Sequence, residues 1–311
     1  MMLNILFSAK PDAWDDYRNP LRDAFRKEDI TVDLATDHQP EDVDYIIFAP
    51  NGPVSDFTPF TKTKAVMSLW AGVESVVENK TLTQPLTRMV DEGLTQGMIE
   101  WVSGHVLRHH LGMDQHILGQ DGIWRDSIVP PLAQDRRVTI LGLGTLGTAC
   151  GKALSALGFP VTGWSRTAKS VEGLTCVNGP DGLKKALETA DILVLLLPLT
   201  AATKHFLNAA RLLQLPAGAV VINPGRGPLI DDKDLLAALE NNHVSHATLD
   251  VFAVEPLPAQ HPFWAHPKIT VTPHIASTTR PETAARTIAN NIKNFESGQP
   301  LLNIVNRKDG Y

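Results

Sequence analysis

The chain of 311 residues has only two cysteines, Cys150 and Cys176, and no CxxC pair. Both a disulfide-built scaffold and a cysteine-rich zinc site are thereby excluded. Basic residues do not dominate: 28 Lys and Arg face 34 Asp and Glu, for a net charge of −6. With no basic run either, a nucleic-acid partner is not expected. No stretch of 18 apolar residues occurs, so no membrane-spanning helix is expected. The N-terminal apolar run, Met1-Met-Leu-Asn-Ile-Leu-Phe7, is short and lacks a basic flank. It reads as a strand rather than a signal segment, and the cytoplasm is the simplest compartment. No internal repeat or low-complexity segment is present. His105, His109 and His110 share one helical stretch without an HExxH pattern, so no metal is expected.

Short apolar strands alternate with amphipathic helices along the whole chain. Strands are expected at residues 3–7, 31–34, 45–48 and 65–69, with helices at 14–27 and around 73–77. Further strands begin at Val138, Val161, Ile192, Val220, Ala247 and Ile269, with helices at 149–157, 182–188 and 233–240 between them. Residues 98–118 read as one long helix. Pro281 opens a last helix over 282–296, which can return to the first unit. This rhythm predicts an α/β protein with two doubly wound parallel sheets. The expected domains are 1–97 plus 282–311, and 98–281.

One turn carries nucleotide chemistry. Val138-Thr-Ile-Leu141 leads into Gly142-Leu-Gly144-Thr-Leu-Gly147, followed by a small-residue helix and a second strand at Val161. Strand, glycine turn, helix and strand within about 30 residues form a dinucleotide site. The glycines admit the pyrophosphate, and the helix N-terminus offers it free N–H groups. Thr145 and Leu146 belong to the same turn. The second strand ends Trp164-Ser165-Arg166-Thr167, where an acidic residue normally selects NAD. A hydroxyl and a guanidinium instead suit a 2′-phosphate, which predicts NADP(H) in preference to NAD(H).

Three motifs follow: Asn223-Pro224-Gly-Arg226-Gly-Pro, Asp250-Val-Phe-Ala-Val-Glu255-Pro-Leu-Pro and Thr272-Pro-His274-Ile-Ala-Ser. Together with the glycine turn and Leu197-Pro198-Leu-Thr200, they resemble the D-2-hydroxyacid dehydrogenase family over essentially the whole chain. Within it, Trp164-Ser165-Arg166, Ser68-Leu-Trp70-Ala-Gly-Val-Glu74 and Gly97-Met-Ile-Glu-Trp101 resemble the NADPH-dependent glyoxylate/hydroxypyruvate reductase A branch. Ser165 and Glu74 both stand where many members of the family have Asp.

The resemblance implies a Rossmann dinucleotide-binding domain and a smaller flavodoxin-like substrate domain. It also implies reduction of small 2-oxo acids by hydride transfer. Arg226 then orients the substrate and polarises its carbonyl, His274 serves as general acid, and Glu255 fixes the imidazole tautomer. Trp70, Ala71 and Gly72 contact the substrate from a turn of the smaller domain, whose closure completes the site. Leu197, Pro198, Thr203, Asn223 and Pro224 contact the cofactor, and Asp250 its nicotinamide carboxamide. Trp124-Arg125 resembles a dimer-contact segment, so a homodimer is expected. Two alternatives stay open: a dehydrogenase for bulkier 2-oxo acids, and a nucleotide-sensing, corepressor-like binding protein.

Overall fold

A computed structural model of the protein describes residues 2–308 and Gly310. The chain divides into two compact units, Met1–Leu94 with Thr278–Tyr311, and Thr95–Ser277. The first is built on β1 (Leu3–Ser8), α1 (Ala13–Lys27), β2 (Val32–Ala35), β3 (Tyr45–Phe48), β4 (Ala65–Ser68) and β5 (Leu86–Thr87). Its sheet runs β2-β1-β3-β4-β5, with every pairing parallel. This is the flavodoxin order, which winds in both directions from β1.

The chain continues through α2 (Glu92–His110), α3 (Met113–Ile117), β6 (Val138–Leu141), α4 (Thr145–Ala156), β7 (Val161–Ser165) and β8 (Thr175–Asn178). Next come α5 (Gly179–Glu188), β9 (Ile192–Leu195), α6 (Ala209–Leu212), β10 (Ala219–Asn223), α7 (Asp232–Glu240), β11 (Val244–Leu249), β12 (Ile269–Val271) and α8 (Pro281–Glu296). The second sheet runs β12-β11-β10-β9-β6-β7-β8 and is also wholly parallel. Six of its strands have the Rossmann order, and β12 extends the edge beside β11. The direction of winding reverses between β6 and β9, where open α/β sheets bind their ligands.

The strand sequences explain the layering. Residues along a strand alternate between faces, and both faces of each sheet are covered. Ile140, Val194 and Ile222 pack against Met98, Val102 and Val106 of α2 and Leu154 of α4. Leu141, Leu193, Leu195 and Val221 pack on the opposite face with Leu187 of α5 and Leu235 of α7. Strands buried on both faces must be apolar throughout, as Ile192-Leu-Val-Leu195 is. Cys150 lies in the first of these cores, and burial pushes its thiol up to about 12. In the first unit, Ala285, Ile288, Ala289 and Ile292 of α8 close the core over Ile5, Phe7, Leu21 and Phe25.

Two expected helices differ. The stretch read as one helix over 98–118 breaks after His110, and Gly112 takes a left-handed φ of 60°. The short α3 is then tied back by a bidentate pair from Arg108 Nε and Nη2 to Asp114 Oδ1 and Oδ2, at 2.7 and 2.8 Å. The helix expected around 73–77 is a run of turns. Val73 and Val76 are buried, but their β-branched neighbourhood does not propagate a helix. The Asn79 side chain instead bonds the Ser55 carbonyl and the Thr81 amide, which turns the chain away. The short strands β5 and β8 escaped the periodicity. β8 is a half-exposed edge strand, Thr-Cys-Val-Asn, with little apolar pattern to read.

Candidate active site

The functional loops of the second unit leave one edge of its sheet. Asn223 pairs with Leu249, and Leu249 with Val271. The loops carrying Arg226, Asp250 with Glu255, and His274 therefore start from one register row on three adjacent strands. Across the same sheet, Leu141 pairs with Leu195 and with Trp164. The glycine turn and the Ser165-Arg166 turn thus leave the sheet at its C-terminal end as well.

The glycine turn is sterically compelled. Gly142 has a φ of 108°, and a Cβ there would strike the carbonyl of Leu196. A Cβ at Gly147 would strike the carbonyl of Gly142, which locks the start of α4 against the turn. Gly144, the N-cap of α4, differs: a Cβ there would meet nothing within 4 Å. The turn is closed on its protein side and open at the helix N-terminus, with Thr145 exposed and Leu146 half-buried in the core. At the end of β7, Trp164 and Ser165 are buried, and the Ser165 hydroxyl donates to the Thr167 carbonyl at 2.8 Å. This bond shapes the turn on which the exposed Arg166 stands. Lys169, from the same loop, donates to the Leu143 carbonyl inside the glycine turn. After β9, Leu197 is buried, and the Thr203 hydroxyl is held by the Pro198 carbonyl and the Thr200 amide, both at 2.7 Å.

The arginine loop is built by its neighbours. The buried Asn223 donates from Nδ2 to the Arg226 carbonyl at 2.9 Å and accepts from the Gly225 amide at 3.1 Å. Pro224 is buried between them. A Cβ at Gly227 would collide with the main chain of Phe252, so this loop lies directly against the loop of Glu255. Arg226 remains partly exposed, with Nη1 donating to the Gly225 carbonyl at 2.7 Å.

Glu255 and His274 meet. His274 Nδ1 lies 2.7 Å from Glu255 Oε2, and Glu255 Oε1 accepts from the Phe252 amide at 2.8 Å. The carboxylate is thus anchored to its own loop while it orients the ring. The imidazole is about half exposed, at 49%, and so can reach a small molecule. Asp250, by contrast, is fully buried, and its carboxylate accepts from Thr272, Ile275 and Ala276. Thr272 and Phe252 were not singled out from the sequence as site residues. Thr272 stands two positions before His274 in the quoted motif, whereas Phe252 acts through its main chain and leaves no residue-type signal.

In the first unit, the Trp70 turn follows β4. The Ser68 hydroxyl accepts from the Trp70 amide and donates to the Trp70 carbonyl, at 3.0 and 3.1 Å. Trp70 keeps 41% of its surface, and Ala71 and Gly72 are half-buried beside it.

A doubly wound dehydrogenase architecture is therefore joined to an arginine, a glutamate and a histidine on neighbouring loops. The model for the D-isomer specific 2-hydroxyacid dehydrogenase NAD-binding domain matches residues 104–276. The chain belongs to the D-isomer specific 2-hydroxyacid dehydrogenase family. It is 39% identical over 255 residues to the glyoxylate/hydroxypyruvate reductase A of Yersinia enterocolitica, covering 80% of this chain and 82% of the relative. A D-isomer specific 2-hydroxyacid dehydrogenase from Xanthobacter autotrophicus Py2, solved in complex with NADPH and MES, superposes with a TM-score of 0.92. It is 39% identical and covers 99% of both chains. The NADPH-dependent glyoxylate/hydroxypyruvate reductase of Sinorhizobium meliloti, solved with NADP and sulfate, gives a TM-score of 0.87 at 33% identity. That match covers 100% of this chain and 99% of the other.

Proposed function

We propose that this protein reduces small 2-oxo acids, glyoxylate and hydroxypyruvate foremost, to 2-hydroxy acids with NADPH. The observation that carries the reading is the 2.7 Å pair of His274 and Glu255, on loops that share a sheet edge with Arg226 and the glycine turn. The reductase names and NADPH complexes among the relatives support it.

The residues fit the cofactor. At Gly144 a Cβ would meet nothing within 4 Å, so the α4 N-terminus is open where a pyrophosphate would sit. Thr145, Leu146 and Gly147 complete that cradle. Trp164, Ser165 and Arg166 would hold the adenosine end and its 2′-phosphate, and Leu197, Pro198, Thr203, Asn223 and Pro224 would line the remainder. Bound NADPH supplies the hydride. Arg226 provides the cation that binds the substrate carboxylate and polarises the 2-oxo carbonyl. His274 delivers the proton to the 2-oxo oxygen from Nε2, because Nδ1 is committed to Glu255. The Trp70, Ala71 and Gly72 turn is assigned to the substrate, with the bulk of Trp70 favouring small side chains.

The decisive experiment compares NADPH and NADH oxidation with glyoxylate, hydroxypyruvate, pyruvate and phenylpyruvate. Fast NADPH turnover of the two smallest hydroxylated or aldehydic acids supports the reading. Turnover confined to phenylpyruvate overturns the substrate, and turnover confined to NADH overturns the cofactor. Tight NADPH binding without turnover moves the protein to the binding-protein class.

A cytoplasmic homodimer belongs to the same reading. Among the described residues, no helix is long and apolar enough to cross a membrane. Between α3 and β6, Leu118, Trp124 and Val129 expose 82%, 89% and 79% of their surfaces. Such a concentration of apolar side chains favours burial against a second copy. A sedimentation mass equal to one chain would refute the dimer.

A further inference from the structure

We propose that His261, through Asp232, is a positioning residue that holds the Glu255 loop beside the Arg226 loop. This rests on the reading of His274 as proton donor with Glu255 as its partner. The Glu255 loop leaves β11 at Leu249 and rejoins the sheet only at β12, from Ile269. Its near end is fixed where Phe252 lies against Gly227. Its far end is folded on itself. The His261 amide donates to the Pro258 carbonyl at 2.9 Å, and the Trp264 amide to the His261 carbonyl at 3.2 Å. Trp264 Nε1 donates to the Pro258 carbonyl at 3.1 Å. The buried Phe263 roots this turn in the core, and the His261 ring stands edge-on to it, 4.4 Å between centroids. Glu255 lies between the two ends, so both decide where its carboxylate sits.

Those bonds stay within the loop, whereas the His261 side chain reaches out of it. Its Nδ1 accepts from the Phe263 amide at 3.4 Å, so Nε2 carries the ring hydrogen. Nε2 lies 3.7 Å from Asp232 Oδ2, longer than a hydrogen bond, and acts as an electrostatic tether. Asp232 is a fixed point. It opens α7 directly after the N-cap Asp231, whose Oδ1 accepts from the Lys233 and Asp234 amides at 3.1 and 3.2 Å. Asp231 Oδ2 faces His205 Nδ1 at 3.2 Å, and the His205 amide donates to the Pro228 carbonyl of the arginine loop at 2.7 Å. The start of α7 is therefore bound to the loop of Arg226, and the helix dipole favours a carboxylate there. Burial raises the Asp232 carboxyl above its usual range, and His261 opposes that rise more than His205 does. Two adjacent aspartates thus each face an imidazole from a different loop, and the loops of Thr203, Arg226 and Glu255 meet at one helix start.

Two substitutions separate the two ring nitrogens. His261→Asn keeps an acceptor for the Phe263 amide but does not reach Asp232. His261→Gln presents an amide N–H near the place of Nε2 and gives up the Nδ1 acceptor. In the full-length protein, His261→Asn is expected to lower kcat about fivefold, the scale of a partly exposed ion pair, with the KM for NADPH within about twofold. His261→Gln recovers most of that loss. Asp232→Ala lowers kcat as His261→Asn does, and the double variant loses no more than either. The ring-nitrogen NMR signal of His274 in ¹⁵N-labelled protein moves in both, because the carboxylate that orients the ring has shifted.

The proposal is overturned if His261→Asn turns over like the wild type while His261→Gln does not, since His261 would then only cap its own turn. Losses that multiply in the double variant overturn it as well, as does a His274 signal that stays in place. If His261→Asn does not fold, Asp232→Ala with the His274 signal decides. Should the wild-type protein reduce no 2-oxo acid, the functional reading fails by itself, and the His274 signal in the variants still decides the positioning role.

Discussion

His274 Nδ1 and Glu255 Oε2 lie 2.7 Å apart although the two residues belong to loops from different strands. The contact assigns the ring nitrogens: Nδ1 faces the carboxylate, and Nε2 is left for proton delivery. His274→Ala is therefore expected to lower kcat by roughly 10²–10⁴-fold, the usual contribution of a general acid. NADPH binding should be retained. Glu255→Gln should lower kcat less. Steady-state kinetics across pH with a parallel cofactor titration checks both, and near-normal turnover of His274→Ala would remove the histidine from the mechanism.

Arg166 stands on a turn shaped by the Ser165 hydroxyl rather than by a carboxylate. A guanidinium bond to a phosphate is worth roughly 1.5–3 kcal/mol, or about ten- to a hundredfold in affinity. Arg166→Ala should raise the KM for NADPH by that factor and leave the KM for NADH nearly unchanged. A parallel rise for both cofactors would mean that Arg166 does not read the 2′-phosphate.

Acid stability should reflect a histidine pair beneath the catalytic loops. His109 Nε2 lies 2.8 Å from Thr248 Oγ1, and His246 Nε2 lies 2.9 Å from Thr270 Oγ1. Their rings are 4.8 Å apart. Burial, then the neighbouring His246 and Arg108, bring His109 down from 6.5 to about 3. Burial and Arg108 bring His246 down to about 4. The fold thus holds both rings neutral, whereas the unfolded chain takes up protons near 6.5. Their contribution is intact above that value and is lost as the pH falls towards 4 and then 3. Melting temperatures measured down this range should fall more steeply for the wild type than for His246→Asn. Equal slopes would remove the pair from the acid response.

Gly227 allows the arginine loop to lie on the main chain of Phe252. Gly227→Ala should therefore cost about 1–3 kcal/mol through overpacking and lower kcat by displacing Arg226. Denaturant unfolding with kinetics on the folded fraction tests this. An unperturbed, fully active variant would contradict the close approach.

Much of this protein is legible from residue order. Continuous apolar strands such as Ile192-Leu-Val-Leu195 announce a sheet covered on both faces, because only burial on both sides demands that pattern. The glycine turn is legible because Gly142 and Gly147 are the only residue type that its geometry admits. The three motifs bearing Arg226, Glu255 and His274 are legible because each follows a strand whose periodicity is plain.

Tertiary structure decided what depends on distant partners. Val73 to Val77 carries a helical spacing of apolar residues, yet Asn79 diverts the chain through bonds to Ser55 and Thr81. Gly112 ends α2 where the sequence pattern runs on, and Arg108 holds the next segment through Asp114. The register row Asn223–Leu249–Val271 sets three loops side by side, and no local pattern encodes such pairing. Asp250 shows the same division. Its type and position are plain in the sequence, but the donors that meet its carboxylate, from Thr272, Ile275 and Ala276, are brought to it by folding.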